Sequence, residues 1–215
     1  MAAGPAQPVD VALVLAMDCS GSISPEHLAL QIEGYAAATE NEALVRVIQA
    51  GRFGRIALTF LQWSEVRRAE QVVPWTWIDG LDAAMRFAAL VRRAAHPMAS
   101  FTSISGAIDR SMRLLSDPGV VASRRIIDIS GDGANNDGRP VTQARDDAIA
   151  AGVTINGLPI RGVEPGIEAY YRDQVIGGPH CFIVPARDPR DFAGALLRKM
   201  LAEVAGRTVG EPFRG

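Results

Sequence analysis

The feature that most constrains this chain lies near its start: residues 11–17 are an unbroken apolar run, and Asp18 ends it abruptly. The run is far short of the roughly 20 residues that a membrane-spanning helix needs. It also lacks the period-2 alternation of a strand with one wet face. Residues 9–17 therefore read as a strand buried on both faces, the habit of parallel sheets covered by helices on each side. Ser24-Pro25-Glu26 follows within a few residues and supplies a helix cap, a first-turn proline and a first-turn acid.

The rest of the chain keeps this rhythm. Residues 54–63 are rich in β-branched and aromatic side chains and predict a second strand. Residues 71–78 predict a third, with Pro74 suited to an edge because proline cannot donate to a neighbouring strand; the pair reads as a hairpin. Apolar residues at helical spacing predict helices over 79–95 and 103–115. Then come strand 125–130, helix 140–151, strand 153–160, helix 165–176, strand 181–185 and a last helix over 189–205. The expectation is an α/β fold: a Rossmann-like three-layer sandwich with a mostly parallel six-stranded sheet, one antiparallel edge strand and helices on both faces.

With 215 residues, 48% of them hydrophobic, the chain is sized for one domain. Residues 9–205 form it, 1–8 are a disordered or extended lead, and 206–215 a tail. A net charge of -2 removes the footprint of a dedicated nucleic-acid binder. The pairs Arg67/Arg68, Arg92/Arg93 and Arg124/Arg125 are scattered and read as solvated ends of elements. Of 22 basic residues only Lys199 is lysine, a skew that suits a GC-rich bacterial source. The start shows no secretory signal pattern. The chain reads as soluble, with localisation open and periplasmic or extracellular if a native signal has been removed.

In such folds ligands sit beyond the C-terminal ends of the strands, where strand order reverses. Immediately after the first strand, Asp18-Cys19-Ser20-Gly21-Ser22 places three oxygen-bearing side chains at i, i+2 and i+4. With no base nearby this is a poor nucleophilic set. It is a good partial shell for a hard cation that prefers oxygen, such as Mg²⁺. The strand over 125–130 leads into Gly131-Asp132-Gly133, whose glycines let a carboxylate project over the strand end, and Phe101-Thr102-Ser103 offers a third loop with a hydroxyl. Each group has a plainer reading: Asp18, Ser20 and Ser22 as a turn capping the next helix, Asp132 as a turn residue, Thr102 as a helix cap.

Asp18, Ser20, Ser22, Thr102 and Asp132 match, position by position, the metal-ion-dependent adhesion site of von Willebrand factor A (vWA) domains and integrin I domains. The stretches Gly54-Arg55-Ile56-Ala57, Ile127-Asp128-Ile129-Ser130-Gly131-Asp132-Gly133, Ile155-Asn156-Gly157-Leu158 and Ile176-Gly177-Gly178-Pro179 resemble a bacterial vWA-related group of unknown function, so the resemblance spans about 9–205. It implies a metal held by Ser20, Ser22 and either Thr102 or Asp132 directly, with Asp18 close by and acting through water. Mg²⁺ is the expected ion, with Mn²⁺ or Ca²⁺ as alternatives. The resemblance also implies an open coordination position that a Glu or Asp of a protein partner fills.

Other residues carry smaller expectations. Cys19 is too soft to favour Mg²⁺ and reads as a non-ligand. Cys181 opens the last expected strand, at the opposite end of the sheet from Cys19, which argues against a disulfide. Asp128 interrupts a strand that should be buried and calls for a basic or backbone partner. Asn135 and Asn136 follow the Asp132 loop, as turn residues or as groups that steer waters or a partner. Trp63, Trp75 and Trp77 divide between core packing and an aromatic patch. His27, His96 and His180 are too isolated for a zinc site.

These readings favour a non-enzymatic protein-interaction module that binds a partner's acidic group through a divalent cation. A metal-dependent hydrolase or phosphotransfer enzyme using Asp18 and Asp132 is the alternative, although no basic clamp or general acid stands in these loops. A third reading is a vWA scaffold that assembles without metal.

Overall fold

A computed structural model describes residues 7–94 and 100–207. Five strands make one sheet in the order β3-β2-β1-β4-β5: β1 (Val9–Asp18), β2 (Ile56–Trp63), β3 (Ala69–Ile78), β4 (Ala122–Gly131) and β5 (Thr154–Pro159). β1 lies parallel to both β2 and β4, and β5 is parallel to β4. β3 is the antiparallel edge. Around Pro74 its pairing with β2 slips, Leu58 standing opposite Thr76 and Phe60 opposite Val73, so the missing N–H of the proline falls in an irregularity rather than in the ladder.

β1 is central, and its side chains divide the interior in two. Val11, Leu13, Leu15 and Met17 face one cluster, completed by α1 (Pro25–Thr39), α2 (Glu42–Gln49), α3 (Leu81–Arg93) and α7 (Phe192–Ala205). Ala12, Val14 and Ala16 face the other, with α4 (Ile104–Leu115), α5 (Val141–Ala150) and the segment α6 (Ile167–Tyr170) that continues into a π-helical turn, Tyr171–Val175. This is the three-layer arrangement expected of a parallel sheet wet on neither face.

The expected sixth strand is not one. Residues 181–186 run beside the free edge of β5 but touch it only through isolated parallel bridges, Gly157 with Ile183 and Ile160 with Ala186. Pro185 has no N–H to give, and Gly178, at φ +90°, turns the chain just before the segment, so no continuous ladder forms. α2 was not foreseen; Asn41 caps it by accepting from the Ala43 N–H at 2.9 Å. Of the lead and tail only Gln7, Pro8, Gly206 and Arg207 fall within the described residues, as does all but the end of the helix expected over 79–95. His96 lies outside them.

Arg124 is no solvated end. It donates to the Glu203 and Val204 carbonyls at 2.6 and 2.7 Å and closes the C-terminus of α7. Further into the same layer, Lys199 of α7 lies fully buried, with its ammonium 2.6 Å from Asp128 of β4 and 2.5 Å from Glu203 one turn on. Asn156 of β5 donates to the same Glu203 oxygen at 2.9 Å. The contact with Asp128 is ionic rather than an aligned hydrogen bond. Two acids share one ammonium away from water, and burial pushes the Glu203 carboxyl up to about 7, so charge balance favours one proton held between them.

Candidate metal centre

β1 and β4 are neighbours, yet the chain leaves β1 towards β2 on one side and reaches β4 on the other. The sheet therefore reverses its order between them, and their C-terminal ends, Met17 opposite Ser130, open a crevice. Asp18 and Asp132 stand at its two lips. Asp18 is fully buried, and one of its oxygens accepts the Ser20 N–H at 2.7 Å, folding the loop back over the strand end. The Ser20 and Ser22 hydroxyls lie 3.2 Å apart, and Ser22 donates to Asp132 Oδ1 at 2.7 Å. Four of the five expected residues are thus joined in one hydrogen-bonded chain.

Thr102 is brought to the same rim by backbone pairing. Its N–H donates to Asn136 Oδ1 at 2.8 Å, and the Asn136 N–H returns a bond to the Thr102 carbonyl at 2.9 Å. Ser103, rather than Thr102, caps α4, accepting from the Gly106 N–H at 3.2 Å. This leaves the Thr102 hydroxyl, 3.6 Å from where a Cβ on Gly133 would stand, uncommitted to the cap. Asn135 accepts from the Ser105 N–H at 2.9 Å and donates to the Asp137 and Arg139 carbonyls. Both asparagines staple the second loop to the third.

The second oxygen of Asp18 is buried and has no hydrogen-bond partner. Burial first, and then the nearby charge of Asp132, pushes its carboxyl up to about 7. Asp132 is raised as well, by burial and by Glu164. An unpaired carboxylate in such a place is costly, and a cation removes that cost. Two carboxylates and three hydroxyls, all oxygen, suit a hard ion and leave it incompletely neutralised. Among the described residues no group of three or more His, Cys, Asp or Glu side chains gathers to hold a metal, so a site here depends on hydroxyls. Cys19 turns the other way, into the buried cluster that Met17 also faces, and both it and Cys181 are free thiols.

Two neighbours were missed. Tyr171, on the π-helical turn, is fully buried with an unpartnered hydroxyl; a Cβ on Gly131 would lie 2.8 Å from that hydroxyl and 2.8 Å from Asp18 Oδ2. Its ring edge would come within 2.6 Å of a Cβ on Gly157. Two glycines on adjacent strands thus make its berth, and such a pair is the signal that could have found it. Glu164 accepts from the Ala134 N–H at 2.6 Å and brings a third acid to the rim; its exposed loop carries no pattern to announce it. Among the tryptophans, Trp63 is core, Trp75 is half-buried with its indole N–H on the Leu114 carbonyl at 3.3 Å, and Trp77 is exposed on the edge strand.

The sequence model of a family described as "Protein of unknown function (DUF1194)" matches residues 8–208. No curated protein matches the chain. Among solved structures it is similar to a von Willebrand factor type A protein from Catenulispora acidiphila, at 17% identity and a TM-score of 0.64, over 92% of this chain and 43% of that one. It is similar to the vWF domain of the type V pili tip protein Mfa5 from Porphyromonas gingivalis, at 10% identity and a TM-score of 0.64, over 95% and 98%. It is also similar to proximal thread matrix protein 1 from the mussel byssus, in a form with a zinc-occupied MIDAS motif, at 11% identity and a TM-score of 0.62, over 90% and 45%. The chain spans less than half the length of the mussel and Catenulispora proteins. At such identities the likeness is one of fold, and the fold is that of a vWA domain.

Proposed function

The chain belongs to the DUF1194 family, and on that premise we propose that it is a non-enzymatic protein-interaction module that binds an acidic group of a partner through a divalent cation, Mg²⁺ in the first instance. One observation carries the reading: Asp18 Oδ2, buried and without a partner, at a strand end where Ser20, Ser22 and Asp132 are already linked. In this proposal Ser20, Ser22, Thr102 and Asp132 hold the ion and Asp18 supplies charge beside it. The bound ion would supply a positive centre with appetite for one more anion, because so few carboxylates face it. The residues of the chain then act as a preset frame. Ser22 fixes Asp132, Asn136 fixes Thr102, and the backbone of Ser20 fixes Asp18.

Support from outside the chain is of the same kind. A fold neighbour carries zinc in the corresponding motif, and others are a pilus tip domain and a pilus adhesin. No helix among the described residues is long and apolar enough to cross a membrane.

Calorimetric titration of Mg²⁺, Mn²⁺ and Ca²⁺ into metal-stripped protein, beside Asp18→Ala, tests the cation. One ion bound by the wild type and not by the variant is the expected result. Equal heats from both proteins would remove the site.

A further inference from the structure

Tyr170 and Tyr171 stand where α6 passes into the π-helical turn, which closes with the Ile176 N–H on the Tyr171 carbonyl at 3.0 Å. Such turns are rare and occur mostly where they place a functional group. The Tyr170 hydroxyl accepts from the Asn135 N–H at 3.1 Å and so reaches the loop after β4. The Tyr171 hydroxyl is fully buried and has no hydrogen-bond partner. Asp18 Oδ2 is in the same condition, and both atoms lie 2.8 Å from the point beside Gly131 where a Cβ would stand. They are therefore at most twice that distance apart, across a notch that exists because residue 131 is glycine.

A buried donor and a buried acceptor, each unmet and each costly in that state, thus border one gap. Burial first, and then the charges of Asp18 and Asp132, hold the Tyr171 hydroxyl well above its ordinary 10, so it keeps its proton and has one to donate. Asp18 Oδ1 is fixed by the Ser20 N–H, whereas nothing fixes Oδ2. Carboxylates beside a metal are themselves held by hydrogen bonds that set their direction, and a bond from a hydroxyl to a carboxylate is charge-assisted. We propose that Tyr171 is a positioning residue for the metal centre: its hydroxyl is the donor that holds Asp18 Oδ2 when the site is filled, so that the carboxylate presents a fixed charge to the ion. The inference rests on the metal-dependent reading above.

The test titrates Mg²⁺ into the full chain stripped of metal, as wild type, Tyr171→Phe and Tyr35→Phe, and follows thermal unfolding of each in EDTA. Tyr171→Phe keeps the ring in its berth and deletes a hydroxyl that has no partner, so its Tm in EDTA should equal or exceed that of the wild type. Its Mg²⁺ affinity should nevertheless fall by about tenfold or more. Tyr35→Phe is the structural control, since the hydroxyl it deletes donates to Ser130 at 2.9 Å; its Tm in EDTA should fall while its affinity stays within about twofold of wild type. Mg²⁺ bound alike by the wild type and Tyr171→Phe would overturn the positioning role and leave the metal reading standing. An equal loss of affinity in both tyrosine variants would also overturn it, as a general loosening of the fold. No binding by the wild type would overturn both readings.

Discussion

Ser22 donates its hydroxyl to Asp132 at 2.7 Å, a bond between residues 110 positions apart in the chain. It joins the loop after β1 to the end of β4 and sets two lips of the crevice at a fixed separation without help from any ion. A frame assembled in this way loses little order when a ligand arrives, which favours affinity.

The unpaired oxygen of Asp18 should make the metal-stripped protein less stable than it could be. Asp18→Asn is expected to raise its stability at pH 8 by about 1–3 kcal/mol, while abolishing the rise in Tm that Mg²⁺ gives the wild type. An ion at about 100 times its Kd adds roughly 2.7 kcal/mol. Thermal unfolding of both proteins, with EDTA and with Mg²⁺, checks the two effects together.

A pH dependence follows with a definite sign. The Asp18 carboxyl stands at about 7 in the folded chain against an ordinary 3.8, and Glu203 at about 7 against 4.5. Over that interval the folded state holds protons that the unfolded state has released. Stability should therefore be greatest near pH 4, fall as pH rises, and level off above 7. Asp18 contributes at most about 4 kcal/mol. Urea unfolding of metal-stripped protein from pH 5 to 8 measures the slope, and saturating Mg²⁺ should remove the share due to Asp18.

Lys199 is in contact with two buried acids at once. Lys199→Met should cost about 3–5 kcal/mol, because it strands Asp128 and Glu203 together. Glu203→Gln, which removes a charge and keeps an acceptor for Lys199 and Asn156, should cost under about 1 kcal/mol at pH 8 and flatten the pH slope. Denaturant midpoints of the two variants would reverse this ranking if the network carried no charge.

The berth of Tyr171 is tight on two sides. Gly157→Ala should destabilise by about 1–3 kcal/mol through the ring, with Mg²⁺ affinity kept within about threefold. Gly131→Ala crowds Asp18 Oδ2 as well and should lose metal binding. Calorimetry on the folded variants separates the two.

Much of this was legible beforehand, for physical reasons. A strand buried on both faces must be apolar throughout, so β1 declared itself, and its abrupt end in Asp18 pointed to the rim. Pro74 marked the edge strand because its missing N–H has one tolerable place. Asp128 announced a partner because a buried charge needs one, but which residue answered depended on the angle of α7 against β4. The extra strand over 181–185 was apolar enough to suggest pairing, and Pro185 was the sign that it could not. Thr102 comes near Gly133 while the cap falls to Ser103, a distinction between adjacent residues that spacing alone does not make. Tyr171 was not legible from its own helix, since an aromatic there says nothing of what it meets across the sheet; only the glycines opposite it, Gly131 and Gly157, mark its berth.

Asp128 on β4 and Asp132 just past its end are two acids four residues apart, and the chain treats them oppositely. Asp128 has its counter-charge built in, on a helix of the same molecule, where no chelator or dilution can take it away. Asp132, at the crevice, is met by the Ser22 hydroxyl and by no such counter-charge. The charge balance of the scaffold is thereby settled within the chain, at a distance from the rim, and on the proposed reading a loss of cation would lower stability by the ion's own share without touching the Asp128–Lys199 pair.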